Sequence, residues 1–179
     1  MKFEDAQDDM RSSYFGGATG VIVSGLIWCI AGLVTLLYSM QASMWTLFFG
    51  GMFIHPFAIL LSKFLNRSGS HAADNPLGKL ALESTIILFV GLFLAFFVAK
   101  LQVEWFYPIM LMTIGSRYLV FNTLYGMKLY WALGVLLILS GVLCILLNVS
   151  FVIGAFLGGV IEIIFALFIF KQSKDGLNV

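Results

Sequence analysis

Four ionisable side chains stand within long apolar stretches of this sequence: His55, Glu83, Arg117 and Glu162. An ionisable group in hydrocarbon costs about a few kcal/mol even on lenient insertion scales, so each of these needs a partner or a polar cavity. An imidazole titrating near neutral pH makes His55 the natural proton-relay candidate, with an interhelix hydrogen bond as its plainer reading. Arg117 can anchor an anionic group, and Glu83 can take or give a proton. Glu162, between Ile161 and Ile163, must be neutral or paired with Arg117, because burial disfavours an isolated charge.

Helical spacing groups further polar residues around them. Arg117, Phe121 and Tyr125 follow i, i+4, i+8, and Tyr118, Asn122 and Tyr125 follow i, i+4, i+7, so one broad helix face carries nearly all the polar groups of its segment. Counted inward from the outer ends, His55, Arg117 and Glu162 each lie about 11 residues deep, near the midplane of a roughly 30 Å core. Glu83 lies nearer the opposite end of its helix, level with Asn122 and Tyr125, which would form a second, inner polar layer; Ser84 and Thr85 follow it. A single buried ion pair, Arg117 with Glu162 or with Glu83, would only fix helix order. Four ionisable groups with this many hydroxyls exceed what one pair requires, and point to a cavity open to solvent or ligand. Pro56 and Pro108 remove backbone donors nearby and can free carbonyls at such a site.

The elements that must hold these groups follow from composition. The 179 residues are 61% hydrophobic and 11% charged, against roughly 45–50% and 25% in a soluble domain. From Ser12 to Ser62 there is no Lys, Arg, Asp or Glu, a run too long for one crossing, and between Lys128 and Lys171 the only formal charge is Glu162. Each of these regions is a pair of spans. With two more between them, the sequence predicts an all-α polytopic bundle of about six transmembrane helices, near residues 18–39, 44–63, 80–100, 105–126, 129–148 and 151–170. Residues 1–17 form an N-terminal segment, read equally well as a helix on the membrane face or as a solvated tail. Residues 18–171 form one transmembrane domain, and residues 172–179 a tail.

Lys2, Arg11, Lys63, Arg67, Lys79, Lys128, Lys171 and Lys174 fall on one side of this topology and only Lys100 on the other, which places both termini in the cytoplasm. The first apolar run lacks a basic leader and a small-residue cleavage pattern, and is read as a retained helix. Cys29 and Cys144 lie within helices, outside any C-x-x-C motif, and read as packing residues. Trp105, Phe106 and Tyr107 at one boundary, and Tyr130 and Trp131 at the other, read as interfacial belts. Gly16, Gly20 and Ser24, and then Gly154 and Gly158, recur at four-residue spacing and permit close helix approach within the chain or in a homo-oligomer. The two halves show no convincing inverted repeat of the transporter kind.

A net charge of +1 with no extended basic stripe excludes nucleic acid as the expected partner. Membrane lipid, and a small-molecule or ion ligand, are the partners expected. The sequence carries no metal-ligand spacing, no Gly-rich phosphate loop, no G-x-S-x-G elbow and no intramembrane Lys for a Schiff base, so no metal or cofactor is expected.

Several stretches carry a resemblance: Asp9-Met10-Arg11, Tyr14 to Gly17, Gly51-Met52-Phe53-Ile54-His55-Pro56, Asn75-Pro76-Leu77, Leu82-Glu83-Ser84-Thr85, Ile114-Gly115-Ser116-Arg117-Tyr118 and Leu124-Tyr125-Gly126-Met127. Together they resemble a family of bacterial six-helix integral membrane proteins, close to this chain in length and classed as a domain of unknown function. The resemblance covers nearly the whole chain and implies a bacterial inner-membrane location, without an activity to transfer. Its motifs include His55, Glu83, Arg117 and Tyr125 but not Glu162. Three readings remain open: a bundle whose polar cavity, open to the cytoplasmic side, binds or moves a small molecule, ion or lipid headgroup, with Asn122 and Tyr125 orienting the ligand; a membrane-embedded enzyme using Glu83 and His55 as acid and base on a lipid-like substrate; and a noncatalytic assembly partner.

Overall fold

The apolar runs fold into long helices. The computed structural model describes residues 1–175, with α1 (Phe3–Tyr14), α2 (Ala18–Leu37), α3 (Met40–Phe64), α4 (Leu77–Ala99), α5 (Phe106–Tyr125), α6 (Leu129–Leu146) and α7 (Phe151–Asp175). Single 3₁₀ turns precede α2 and α5. The last helix runs past residue 170, so the expected tail from residue 172 begins as helix; the rest of that tail lies outside the described residues.

Five stretches among the described residues are long and apolar enough to cross a membrane: Phe3–Leu37, Met40–Phe64, Leu77–Ala99, Leu129–Leu146 and Phe151–Lys174. The first joins α1 to α2. The chain is therefore a multi-pass membrane protein. The sixth long helix, α5, is not among the five, because Arg117, Asn122 and three tyrosines dilute its hydropathy. It can carry that polarity because its neighbours shield it: Phe106, Tyr107 and Leu111 are fully buried, and α5 packs against α4, α6 and α7.

Contacts at the two ends establish an up-and-down arrangement. At one end α1 meets the end of α3, the start of α4 and the end of α5: the Gly69 N–H donates to Ser13 O, Asn75 Nδ2 to Ala6 O and Gln7 Nε2 to Thr123 O. At the far end, Tyr107 of α5 meets Ser43 of α3 and Phe151 of α7, and Phe96 of α4 meets Phe106. Around the bundle, α3 packs on α2, α2 on α7, α7 on α6, α6 on α5, and α5 on α4. Successive in sequence, α3 and α4 are not a main packing pair; Trp45 and Phe48 touch Phe96 near the far end, with ring centroids 5.2 and 6.0 Å apart.

Small residues let the tightest pairs approach. A Cβ on Gly25 would lie 2.9 Å from Gly159 O, and one on Gly159 would lie 2.8 Å from Gly25 O, so α2 and α7 cross backbone to backbone. Gly115 and Gly134 do the same for α5 and α6, at 2.7 and 2.6 Å from each other's carbonyls. Of the glycines singled out by their spacing, Gly154 and Gly158 permit close packing within the chain, against side chains rather than backbone, while the others do less. Gly154 faces Tyr107, Gly158 faces Trp28, Gly20 lies loosely over Ala58, and Gly16 belongs to a turn.

That turn links α1 to α2. Gly16 (φ +60°) and Gly17 (φ +85°) adopt left-handed backbone that breaks the helix between α1 and α2. Tyr130 donates to Gly16 O at 2.6 Å, and a Cβ on Gly17 would lie 2.5 Å from that same hydroxyl. Thus α1 is a helix with Ala6, Met10 and Ser13 buried.

The aromatic belts need correction. Trp105 and Trp131 are exposed, at 39% and 56%, as interfacial residues should be. Phe106, Tyr107 and Tyr130 are fully buried. Neighbours on a helix point in different directions, and the interior offers Tyr107 and Tyr130 the hydroxyl partners they need, Ser43 and Gly16 O.

Candidate functional site

The polar face of α5 turns inward, and its residues divide between two neighbouring helices. Towards α4, Arg117 Nη2 donates to Thr85 Oγ1 at 3.1 Å, and Nε donates to Ser84 Oγ at 3.5 Å. The guanidinium carbon lies 5.0 Å from the centre of the Phe121 ring, one helical turn further along α5. Ser84 and Thr85 also donate to Ala81 O, at 2.7 and 2.9 Å, which holds their oxygens in place and leaves lone pairs for Arg117. Arg117 is half-buried, and no carboxylate among the described residues forms an ion pair with it.

Towards α7, Tyr118 donates to Glu162 Oε1 at 2.6 Å. Glu162 is 1% exposed, and its Oε2 has no hydrogen-bond partner among the described residues. Arg117 and Glu162 therefore do not form the direct pair that their similar depths allow. Adjacent positions on α5 project about 100° apart, so Arg117 faces α4 while Tyr118 faces α7.

Below these two groups lies an aromatic floor. The Tyr118 and Tyr125 rings stack on Tyr130 with centroids 5.8 and 5.5 Å apart, and Phe121 meets Tyr130 edge-on at 5.5 Å. Asn122 faces the turn between α5 and α6. In the amide orientation that satisfies both ends, its nitrogen donates to Met127 O at 3.1 Å and its oxygen accepts from Trp131 Nε1 at 3.3 Å. Tyr125 and Asn122 thus tie α5 to the start of α6.

His55 and Glu83 stand apart from this group. Both are exposed on the outer faces of α3 and α4, and neither hydrogen-bonds to another described residue. Pro108 occupies the first turn of α5, where its missing N–H costs no helical bond, and Pro56 lies inside α3 beside exposed His55.

The i, i+4 spacing that put Phe121 on the Arg117 face is borne out by its ring beneath the guanidinium. One feature carried no obvious sequence signal: the α1 clasp, in which Asp9 Oδ2 accepts from the Ala72 N–H at 2.9 Å and from Asn75 Nδ2 at 2.7 Å, while Tyr14 OH meets His71 Nδ1 at 3.0 Å. One Asp of an acidic N-terminal segment and a distant Asn-Pro turn do not announce that pairing. Among the described residues, no group of three His, Cys, Asp or Glu could hold a metal ion, and Cys29 and Cys144 are both free thiols.

Residues 3–172 match a family model described as a family of unknown function, DUF7010. No curated protein and no solved structure matches the chain.

Proposed function

We propose that this chain, which belongs to the DUF7010 family, uses Arg117 to bind the carboxylate or phosphate group of a small molecule or lipid within the membrane. The observation that carries this reading is the environment of Arg117: a mid-span guanidinium held by two neutral hydroxyls and a ring, with no carboxylate paired to it. A half-buried charge within an apolar span is expensive unless an opposite charge arrives. Its planar fork suits bidentate carboxylate or phosphate, and Ser84 and Thr85 already orient two of its nitrogens. Phe121, whose ring lies under the guanidinium, would contact the ligand's body. The sparse meeting of α3 with α4 makes that side of α4 the direction from which a lipid ligand would approach.

The acid–base reading has less support, since His55 and Glu83 face outward and share no partner. A single reacting atom would have to lie within hydrogen-bond reach of both. Orientation belongs to the same proposal. The α1 end gathers Lys2, Arg11, Lys63, Arg67, Lys79, Lys128 and Lys171, so it lies on the cytoplasmic side of a bacterial inner membrane.

The test is a native mass spectrum of the gently purified full chain beside Arg117→Gln. A defined acidic mass retained by wild type and absent from the variant is the expected result. Equal retention by both proteins, or bulk phospholipid alone on wild type, would overturn the proposal.

A further inference from the structure

At the α1 end, on the face away from Arg117, α6 and α7 diverge around a shallow cleft of about 510 Å³. Its walls are Lys128, Leu129 and Ala132 from α6, and Phe168, Lys171 and Gln172 from α7. The two lysines come from opposite walls and are both exposed. Among the described residues, no acidic side chain lines the cleft. Beneath the cations the surface turns apolar: Phe168 is 56% exposed, and Ile164, one turn deeper on α7, and Leu136, one turn deeper on α6, are also exposed. Trp131, exposed beside Lys128, marks this level as the boundary between headgroups and acyl chains.

We infer that the α6–α7 cleft is a surface site for an anionic phospholipid, whose phosphate lies between Lys128 and Lys171 while an acyl chain runs down past Ala132 and Phe168. Charge complementarity selects the headgroup: two ammonium groups face one opening at membrane-surface depth, where basic pockets between spans attract anionic lipid. The apolar track below selects a lipid over a free phosphate ion, which would leave Phe168 and Leu136 uncovered. Gln172 adds neutral donors for the glycerol or phosphate oxygens. The site is independent of Arg117, which faces α4.

The experiment uses the full chain reconstituted in phosphatidylcholine vesicles with trace spin-labelled phosphatidylglycerol or spin-labelled phosphatidylcholine, reading the motionally restricted fraction by electron paramagnetic resonance. Wild type should hold the anionic label in preference to the zwitterionic one. Lys128→Gln and Lys171→Gln should each weaken that preference about fivefold, and the double variant about 25-fold, as expected for one surface cation each. Lys128→Arg with Lys171→Arg should retain it, and so should Lys100→Gln at the far end and Arg117→Gln. Millimolar inorganic phosphate at constant ionic strength should not displace the label. The inference is overturned if the double Gln variant, still folded by its thermal transition, keeps the preference; if Arg117→Gln alone removes it; or if inorganic phosphate competes as well as lipid does.

Discussion

The α1 end of the bundle and the middle of α5 handle polar groups in opposite ways. At the α1 end, polar atoms meet partners of matched kind: Asp9 with Ala72 N–H and Asn75, Ser13 with Ser70 O, Tyr130 with Gly16 O, Gln7 with Thr123 O. Along the inward face of α5, the Arg117 charge meets, among the described residues, only hydroxyls and a ring, and a carboxylate oxygen on α7 meets no described partner. A segment near water gains little from such complete pairing unless its position matters. A segment in hydrocarbon loses much by leaving a charge unmatched. The difference teaches that the first region is held by complementary pairs, and that the second keeps an unmatched charge, the feature on which the proposed anion site rests.

The largest expected effect comes from breaking the rigid end. Gly17→Ala forces a side chain into left-handed backbone and against the Tyr130 hydroxyl, and should cost about 2–4 kcal/mol in thermal or denaturant unfolding. Gly20→Ala, whose added Cβ would meet Ala58 Cβ at an ordinary contact distance of 3.9 Å, should cost little. Asp9→Ala comes next. It strands the Ala72 N–H and leaves the Asn75 amide with only its bond to Ala6 O, for a loss of about 1–3 kcal/mol, and hydrogen exchange should rise in residues 66–76 before it rises elsewhere. If exchange rises uniformly, the clasp is not a separate unit.

Arg117→Gln sharpens the comparison from the other side. It removes an uncompensated charge and keeps hydrogen-bonding capacity towards Thr85, so unfolding should shift by less than about 1 kcal/mol while ligand binding is lost. A loss as large as that of Gly17→Ala would make Arg117 a structural residue. The smallest effect is expected at His55→Ala and Glu83→Gln, both within about 0.5 kcal/mol, because neither side chain is bonded to the bundle.

Charge-free runs made the spans legible, because hydrocarbon thickness converts run length into a number of crossings. Helical spacing also exposed the polar face of α5. The hidden part was which neighbour each polar residue meets. Equal depth placed Arg117, Glu162 and His55 on one level, but only the lateral order of helices decides that Tyr118 reaches Glu162, that Arg117 reaches α4, and that His55 looks outward. Composition likewise grouped Phe106 and Tyr107 with Trp105, whereas burial depends on which side of the helix faces α7. The Tyr14 to Gly17 motif was visible as a string, but its role as an elbow depends on Tyr125 and Tyr130, more than a hundred residues away.

The most direct test of the Arg117 site is a melting titration with dodecyl phosphate, in a Lys128→Gln/Lys171→Gln background so that the α6–α7 cleft does not contribute. With Arg117 present, the transition should rise with the logarithm of ligand concentration, reaching about 2.7 kcal/mol of stabilisation at a hundredfold excess over the dissociation constant. Adding Arg117→Gln should leave it flat. Parallel rises in both proteins, or no rise in either, would contradict the claim that this guanidinium awaits an anion.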